Sequence, residues 1–417
     1  MKKAFLLGLC VWLLAVGKAV ADNTLSVADV TVPKGGQATM EITYSIEDAY
    51  EGYQLQLEMA EGSKVRPVML GGKPVMSIGY TTHSLSCSKP SENLYNAVCV
   101  SLQEGDDKIL ASNGTLMSVL LEADADATGT YHATLKGIKF AKTGNVEVNL
   151  ANVEITITVT DALSLVTLNE TSTVAPTASN TAVDVIVNRT INANEWSTIC
   201  LPFGMSETQV KLAFGSDVEL ADFTSWDFEG TAPYVDKITI GFTSAKEIVG
   251  NHPCIIKVSN KITSFEVKNV VVDPGNLNDE DPETAVPISK GTKSNKKYYT
   301  GSMYGVYAAK NNTDVYDLFI ANNQFWYSNG STKIKAFRAT FWFTENGQEQ
   351  SIVLNNLNLS SSRISMSFND SDNSGETTGI KDVKVVRSDK VYNLSGQQVE
   401  KPLKGLYIQD GKKVIIK

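Results

Sequence analysis

Two neighbouring stretches decide the fold: ATMEITYSI (residues 38–46) and YQLQLEM (residues 53–59). In the first stretch, every second residue is apolar: Met40, Ile42, Tyr44 and Ile46. The second stretch repeats this alternation from residue 53 to residue 59. A period of two, with polar residues between the apolar ones, is typical of strands that are buried on one face only. Both stretches are therefore predicted to be strands with one face against a core.

The same alternation continues to about residue 160, in LMSVLLEA (116–123), YHATLKGIKFA (131–141) and VEVNLANVEITITV (146–159). Turn signals separate these runs: Lys34-Gly35-Gly36, Gly71-Gly72, Asn113-Gly114 and Thr128-Gly129. Many short strands with no helical pattern between them predict an antiparallel β-sandwich, of the immunoglobulin-like or jelly-roll-like kind.

Residues 181–357 are again rich in short apolar runs and predict a second antiparallel β-sandwich region. One segment, MSETQVKLAFG (205–215), predicts a short helix with Ser206 as its N-cap. The fold class predicted for the chain is therefore all-β. The predicted organisation is a signal peptide at 1–21, a sandwich at 22–160, a linker at 161–180, the second sandwich region at 181–357, a linker at 358–379 and a small β-hairpin tail at 380–417.

The first residues have the pattern of a secretory signal peptide. Met1-Lys2-Lys3 is cationic, Ala4–Val16 is an apolar run, and the small residues Ala19 and Ala21 fit the rule for signal peptidase. A membrane anchor is the alternative reading. No later apolar run reaches the ~18 residues that a spanning helix needs, so a processed chain is not expected to be an integral membrane protein. The expected location is extracellular or at the outer-membrane surface.

Charge is distributed unevenly along the chain. The formal net charge at pH 7 is −9, whereas the segment 380–417 is basic, so the main body is strongly acidic. An acidic body argues against nucleic-acid binding.

The cysteines that remain after signal removal form two local pairs. In an exported protein, disulfides Cys87–Cys99 and Cys200–Cys254 are predicted, with other pairings or four buried free thiols as alternatives. A metal site is not predicted, because the three histidines are scattered and no Cys-x-x-Cys occurs.

One acidic segment has a weak likeness to a calcium-binding loop. Asp370, Asp372 and Glu376 alternate as oxygen ligands do, but Lys381 occupies the twelfth position, where a carboxylate is needed. A solvated acidic linker is the preferred reading, so no cofactor is predicted beyond a weak possibility of Ca²⁺. No nucleophile elbow and no phosphate-binding loop occurs, and the sequence predicts a protein that is not an enzyme.

The first sandwich resembles a cohesin-like or carbohydrate-module-like domain. The likeness lies in LSVADVTVPKGGQATMEITYSI (25–46), GTLMSVLLEADADATGTYHATLKGIKFA (114–141) and the final strands at 146–159. The resemblance implies a binding role towards dockerins or sugars, or a role as a spacer.

The second region resembles a module of surface and secreted proteins of Bacteroidota. WSTICLPF (196–203), GNHPCIIK (250–257) and FRA (337–339) carry this likeness. The sequence departs from the module at Cys254, where an aromatic residue is more usual, and this departure favours a bridge to Cys200. The resemblance implies export and surface display.

Three tryptophans of the second region are candidates for stacking against sugar rings: Trp226, Trp326 and Trp342. An exposed indole on a sheet face matches the apolar C–H face of a pyranose. The alternative is that these residues fill a sandwich core.

The tail resembles the C-terminal sorting domain of the Bacteroidota type IX secretion system. The likeness lies in VYNLSGQQV (391–399), GLYI (405–408) and KKVIIK (412–417). The residues that carry it are Tyr392, Asn393, Gly396, Gly405, Tyr407, Gly411 and Lys412. The resemblance implies recognition by secretion machinery. A small β module that packs onto the second region is the alternative.

Together these features predict an exported surface or secreted protein that binds a protein or glycan partner and has no catalytic activity. Two alternatives belong to other classes. One is a secreted glycan-active enzyme or its accessory carbohydrate-binding module, and the other is a structural spacer. A cleft with two carboxylates ~5–10 Å apart would favour the enzyme.

Overall fold

The computed structural model describes residues 23–46, 49–102, 113–142, 146–275, 285–292, 297–328, 330–345, 351–354 and 363–368, and the backbone of short strands between 391 and 416. The chain forms two compact units, Met1–Ala162 and Leu163–Lys417. Within the described ranges, no helix is both long enough and apolar enough to cross a membrane. The predicted signal cleavage residues Ala19 and Ala21, and the acidic segment around Asp370, lie outside these ranges.

The N-terminal unit is built from strands alone in its described part. These strands are β1 (Thr24–Val27), β2 (Val30–Pro33), β3 (Gln37–Ser45), β4 (Gly52–Met59), β5 (Val65–Pro67), β6 (Met69–Leu70), β7 (Lys73–Pro74), β8 (Met76–Ser77), β9 (His83–Ser91), β10 (Leu94–Ser101), β11 (Asn113–Ala123), β12 (Gly129–Lys142), β13 (Val146–Asn149) and β14 (Val153–Thr160). One sheet has the order β1-β3-β11-β5, with β8 also on β11, and another has the order β2-β14-β12-β4-β10-β9, with β13 also on β12.

The strand faces of this unit agree with the sequence prediction. Met40 and Ile42 of β3, from one sheet, share a single buried core with Leu55 and Leu57 of β4, from the other sheet. Most pairs are antiparallel, but β2 and β14 run parallel, with Val30 opposite Ile157. The predicted all-β sandwich is confirmed for this unit.

The C-terminal unit has a short helix among its strands. Its elements are β15 (Leu165–Asn169), β16 (Val183–Asn188), β17 (Ser197–Ile199), α1 (Glu207–Phe214), β18 (Glu219–Thr231), β19 (Tyr234–Ala245), β20 (Cys254–Lys257), β21 (Phe265–Val270), β22 (Ala285–Thr292), β23 (Lys297–Val306), β24 (Leu318–Ala321), β25 (Gln324–Tyr327), β26 (Arg338–Glu345), β27 (Val353–Leu354) and β28 (Arg363–Phe368). Ser206 caps α1 in a capping box with Gln209, so the predicted helix and its N-cap are confirmed.

This unit has more layers than a single sandwich. Its sheets have the orders β15-β16-β21, β17-β20-β18-β19-β27 with β28 also on β19, and β22-β23-β26-β24-β25. One apolar cluster joins Val185 of β16 to Phe214 of α1, and another joins Ile240 of β19 to Phe341 of β26. The second sandwich region predicted from sequence therefore contains two hydrophobic cores.

Two buried charged side chains lie where these layers meet. Arg189 is fully buried and donates hydrogen bonds to the carbonyls of Phe337 and Thr198. Burial and the neighbouring Arg338 cation lower the pKa of the Arg189 guanidinium. Glu170 is 7% exposed and pairs with Lys335 at 2.7 Å and with Arg338 at 2.8 Å. Burial alone would raise the pKa of Glu170, but these two cations outweigh it and hold the pKa below its usual value.

The tail forms a small sheet of the order β30-β29-β31-β32. Its strands are β29 (Val391–Tyr392), β30 (Gln398–Val399), β31 (Gly405–Gln409) and β32 (Lys412–Ile416). Antiparallel pairing of β29 with β30 and of β31 with β32 agrees with the predicted β-hairpin tail. Tyr392, Gly405, Tyr407 and Lys412 lie in these strands, whereas Asn393, Gly396 and Gly411 fall outside the described residues.

Candidate binding site

A row of apolar side chains faces solvent on β10 of the N-terminal unit. Alternation along β10 buries Tyr95, Ala97 and Cys99, and it turns the intervening residues outward. Val98 is 42% exposed and Val100 is 51% exposed; Leu102, just after the strand, is 62% exposed. We call Val98, Val100 and Leu102 the β10 stripe. Single exposed apolar residues are ordinary, but a contiguous row is typical of an interaction surface.

A hollow of about 410 Å³ lies beside the β10 stripe, between β10, β4 and β12. Gly52 of β4 is directly opposite Val100, so no side chain fills the outer face at that point. A Cβ built on Gly52 would collide with the carbonyl oxygen of Cys99, so the close approach of the two strands requires glycine here. The hollow is therefore a fixed consequence of the backbone.

Polar groups border the stripe on both sides. On the β9 side, the exposed Ser84 and Ser86 are the cross-strand partners of Val100 and Val98. On the other side, Lys139 of β12 pairs with Glu147 of β13 at 3.0 Å. The surface thus has an apolar centre, a hydroxyl row and a charge-paired rim, which is the usual composition of a protein–protein interface.

A hydrogen-bonded group of side chains supports the sheet beneath this surface. The Tyr80 hydroxyl donates to the Leu116 carbonyl at 3.1 Å and lies 3.4 Å from the Tyr53 hydroxyl. Cys99 Sγ is 3.9 Å from the Tyr80 hydroxyl. Burial raises the pKa values of both phenols and of the Cys99 thiol. These groups are therefore neutral at pH 7, and their contacts connect the sheet to the Leu116 carbonyl.

The three candidate stacking tryptophans have different environments. The prediction of an exposed Trp226 is wrong: this residue is 1% exposed, packs against Phe343 and donates from Nε1 to the Ile288 carbonyl at 2.9 Å. Its neighbours on β18 are polar, and Trp226 lies on the face of this strand that packs into the hydrophobic core. Trp342 is half-buried, with Nε1 2.8 Å from Ser351 Oγ. Trp326 is 39% exposed.

The four predicted disulfide cysteines are all free in the structure. Cys87 lies opposite Ala97, two residues from Cys99, so the predicted partners are diagonal neighbours. Cys254 lies opposite Ile199, the residue before Cys200. Side chains at diagonal positions, such as Cys87 and Cys99, are farther apart than the ~4 Å between Cβ atoms that a disulfide needs. Cys200 and Cys254 are instead offset by one residue. Burial raises the pKa of Cys87 to about 11 and the pKa of Cys200 to about 12, and it also raises the pKa of Cys254.

No group of three or more His, Cys, Asp or Glu side chains in the described part of the chain could hold a metal ion.

The β10 stripe was not predicted from the sequence, although a signal for it exists. The run AVCV (97–100) is apolar on both faces of a strand, whereas the neighbouring strands alternate with polar residues.

The fold and this surface define an all-β protein with an exposed apolar face. No protein-family model matches the sequence, and no curated protein matches it. Solved structures that are similar include a non-cellulosomal cohesin from Archaeoglobus fulgidus (16% identity, 34% of this chain, 93% of that chain, TM-score 0.27). Another is the sixth cohesin of scaffoldin B from Acetivibrio cellulolyticus, in complex with a dockerin (11% identity, 33% of this chain, 99% of that chain, TM-score 0.28). A third is the cohesin module of a family 33 glycoside hydrolase from Clostridium perfringens (14% identity, 33% of this chain, 96% of that chain, TM-score 0.26).

Proposed function

We propose that the chain is an exported, non-catalytic binding protein whose N-terminal unit holds a partner protein on the outer face of β10. The observation that carries this proposal is the β10 stripe, in which three consecutive outward residues are apolar and are 42%, 51% and 62% exposed. Exposure of such a row to water is unfavourable by about 25 cal/mol for each Å² of apolar surface, and a partner that covers it regains this free energy.

The surface also indicates what kind of partner fits. The hollow beside Gly52 has room for a protruding apolar side chain, and Ser84 and Ser86 offer hydroxyl groups along the opposite, β9 side of the stripe. Lys139 and Glu147 neutralise each other, so these two rim charges would not select a strongly charged partner. The expected partner is a folded protein with an aliphatic or aromatic anchor surrounded by neutral hydrogen-bonding groups.

Export and surface display complete the proposal. The signal-like N-terminus and the basic tail support transport across the cell envelope, and the β31–β32 hairpin is the structure that a type IX sorting signal is expected to have. Removal of Gly405–Lys417 tests this part. Normal delivery of the truncated chain to the cell surface would exclude a sorting role for the hairpin.

A site-specific cross-linking experiment tests the binding face. The full chain carries the photoreactive amino acid p-benzoylphenylalanine in place of Val100, or in place of Val174 as a control. Val174 is 74% exposed and lies in the other unit. Surface proteins of the source cells are offered to both versions. We expect one discrete cross-linked protein from position 100, none from position 174, and competition by the unlabelled wild-type chain.

The partner identified in this way is then titrated against variants. The double change Val98→Asp/Val100→Asp should weaken binding by at least about tenfold, because it places charges in the covered apolar centre. Val174→Asp makes the same chemical change elsewhere and should leave the affinity within about twofold. Equal affinity of all three proteins, or no specific cross-link from position 100, would favour the spacer alternative.

A further inference from the structure

The C-terminal unit contains a second hollow, of about 250 Å³, between the β24–β25 hairpin, the loop before β26 and Thr198 of β17. Three of its lining residues are cations: Lys333, Lys335 and Arg338. Among the described residues, no carboxylate lines it. We call this hollow the basic cavity.

The positive charge of the basic cavity is only partly neutralised. Glu170 pairs with Lys335 and Arg338, so one carboxylate serves two cations. Lys333 is exposed and belongs to no ion pair in the described part of the chain. The guanidinium groups of the buried Arg189 and of Arg338 both donate to Ser197 Oγ, at 3.3 Å and 3.4 Å, so a further cation lies beside Arg338. A ligand that carries a negative charge is therefore favoured at this site.

The remaining lining combines hydroxyl groups with apolar surface. Thr332 and Thr340 line the cavity. Thr198 and Thr313 line it as well, but their hydroxyls already donate to the Ala339 carbonyl and to Ser328 Oγ. Phe319 and Ile334 supply apolar surface. A mixture of hydroxyls and apolar patches suits a polyhydroxylated ring, which has polar edges and an apolar face.

An exposed aromatic surface continues from the cavity along the hairpin. Trp326 of β25 is the direct cross-strand partner of Phe319 on β24, so the two side chains share one face. Trp326 Nε1 donates to the Ala321 carbonyl at 3.0 Å, which fixes the orientation of the indole while leaving the residue 39% exposed. A fixed indole ring beside a hydroxylated cavity provides a platform on which a sugar ring can stack.

The hairpin that carries this platform is anchored. Its turn residues, Asn322 and Asn323, have φ values of 52° and 57°. The Asn323 side chain accepts a hydrogen bond from the Trp196 backbone N–H at 2.6 Å and donates to the Asn194 carbonyl at 3.2 Å. Anchoring reduces the entropy that binding would otherwise cost.

We propose that the basic cavity binds an acidic sugar residue, with its carboxylate or sulfate at Lys333 and Arg338 and a neighbouring ring of the same chain on Trp326. The carboxylated and the sulfated alternatives share one chemistry, a pyranose ring with an anionic substituent. This site is independent of the β10 stripe and gives the C-terminal unit a ligand of its own class.

Titration calorimetry with the full chain tests this site, using tetrasaccharides of hyaluronan, which has carboxylates only, of chondroitin sulfate, which has both groups, and of chitin, which has neither. We expect binding of one or both acidic probes and at least about tenfold weaker binding of the chitin probe. Binding of hyaluronan assigns the anion as carboxylate, whereas binding of chondroitin sulfate alone assigns it as sulfate. Equal binding of the chitin probe, or no binding of any probe at millimolar concentration, would overturn the proposal.

Matched variants locate the site. Lys333→Gln should weaken binding of the acidic probe about tenfold, and Trp326→Ala should weaken it similarly, because each removes one of the two attachments. Lys261→Gln, at an exposed lysine elsewhere in the unit, should change the affinity by less than about twofold. Unchanged affinity in Lys333→Gln and Trp326→Ala would show that the sugar binds elsewhere and would overturn the proposal. Val98→Asp/Val100→Asp should bind the sugar normally, which separates this site from the protein-binding face.

Discussion

Replacement of Glu170 by glutamine should destabilise the C-terminal unit by about 2–3 kcal/mol at pH 7. Removal of one partner from a fully buried ion pair costs about 3–5 kcal/mol. Here the Lys335 side chain is 50% exposed and the Arg338 side chain is 24% exposed, so water compensates part of the loss. Glutamine can still accept one hydrogen bond, and the Glu170 backbone bonds to Asn188 and Ala336 do not depend on the side chain.

Tryptophan fluorescence during urea unfolding measures this effect in the right unit. Apart from Trp12 in the predicted signal peptide, the tryptophans are Trp196, Trp226, Trp326 and Trp342, all in the C-terminal unit. Unfolding of the N-terminal unit therefore contributes little to the signal. Glu219→Gln is the matched control, because Glu219 pairs with Lys257 at 2.7 Å but is 55% exposed. Glu219→Gln should lower the free energy of unfolding by less than about 1 kcal/mol.

The pH dependence of Glu170→Gln provides a second measurement. The pKa of Glu170 is held below its usual value in the folded chain, whereas the unfolded chain has a glutamate pKa of about 4.3. The stabilisation is therefore fully present above about pH 5–6 and is lost as the pH falls through the folded pKa. The difference between wild type and Glu170→Gln should shrink in the same range. A difference that is independent of pH, or equal to that of Glu219→Gln, would refute the stabilising role of this pair.

Further predictions concern titration, packing and thiols. Burial and the nearby Asp314 raise the pKa of Asp317 to about 6, so Asp317→Asn should raise the melting temperature above pH 6 and have little effect below pH 4, in a thermal-unfolding series. In urea unfolding, Trp226→Ala should lower the free energy of unfolding by about 3–5 kcal/mol, and Trp326→Ala by less than about 1 kcal/mol. Equal losses would contradict the different burial of these two residues. Labelling with a thiol reagent under non-reducing conditions should be slow in the folded chain and should detect four thiols per processed chain in urea; detection of none or two would restore the disulfide prediction.

Strand faces were predictable because a half-buried strand records its burial in alternate residues. Met40, Ile42, Leu55 and Leu57 are all buried, as their spacing indicates, and the Ser206 cap follows from an equally local rule. Exposure is harder to infer, because alternation identifies a shared face but not what covers it. Trp226 shares its face with Phe228 and lies opposite Ile240 of β19, and the second sheet of the sandwich then covers it.

Long-range register was beyond local sequence rules. The predicted cysteine partners do lie on or next to paired strands, yet the first pair is offset by two residues and the second by one, and no local pattern encodes these offsets. The basic cavity has a similar origin. Its cations come from residues 333–338, its aromatic residues from the β24–β25 hairpin and one of its threonines from position 198, so only the folded chain brings them together.

The parallel pairing of β2 with β14 determines how the N-terminal unit responds to mechanical load. Val30–Pro33 and Ile157–Thr160 run side by side in the same direction, so the start of β2 and the end of β14 lie at opposite ends of the pair. A pulling force between the two ends of this unit acts along both strands and shears them past each other. The hydrogen bonds between β2 and β14 then share the load and must break together, instead of opening one after another. With this strand order, we expect the N-terminal unit to resist extension between its two ends.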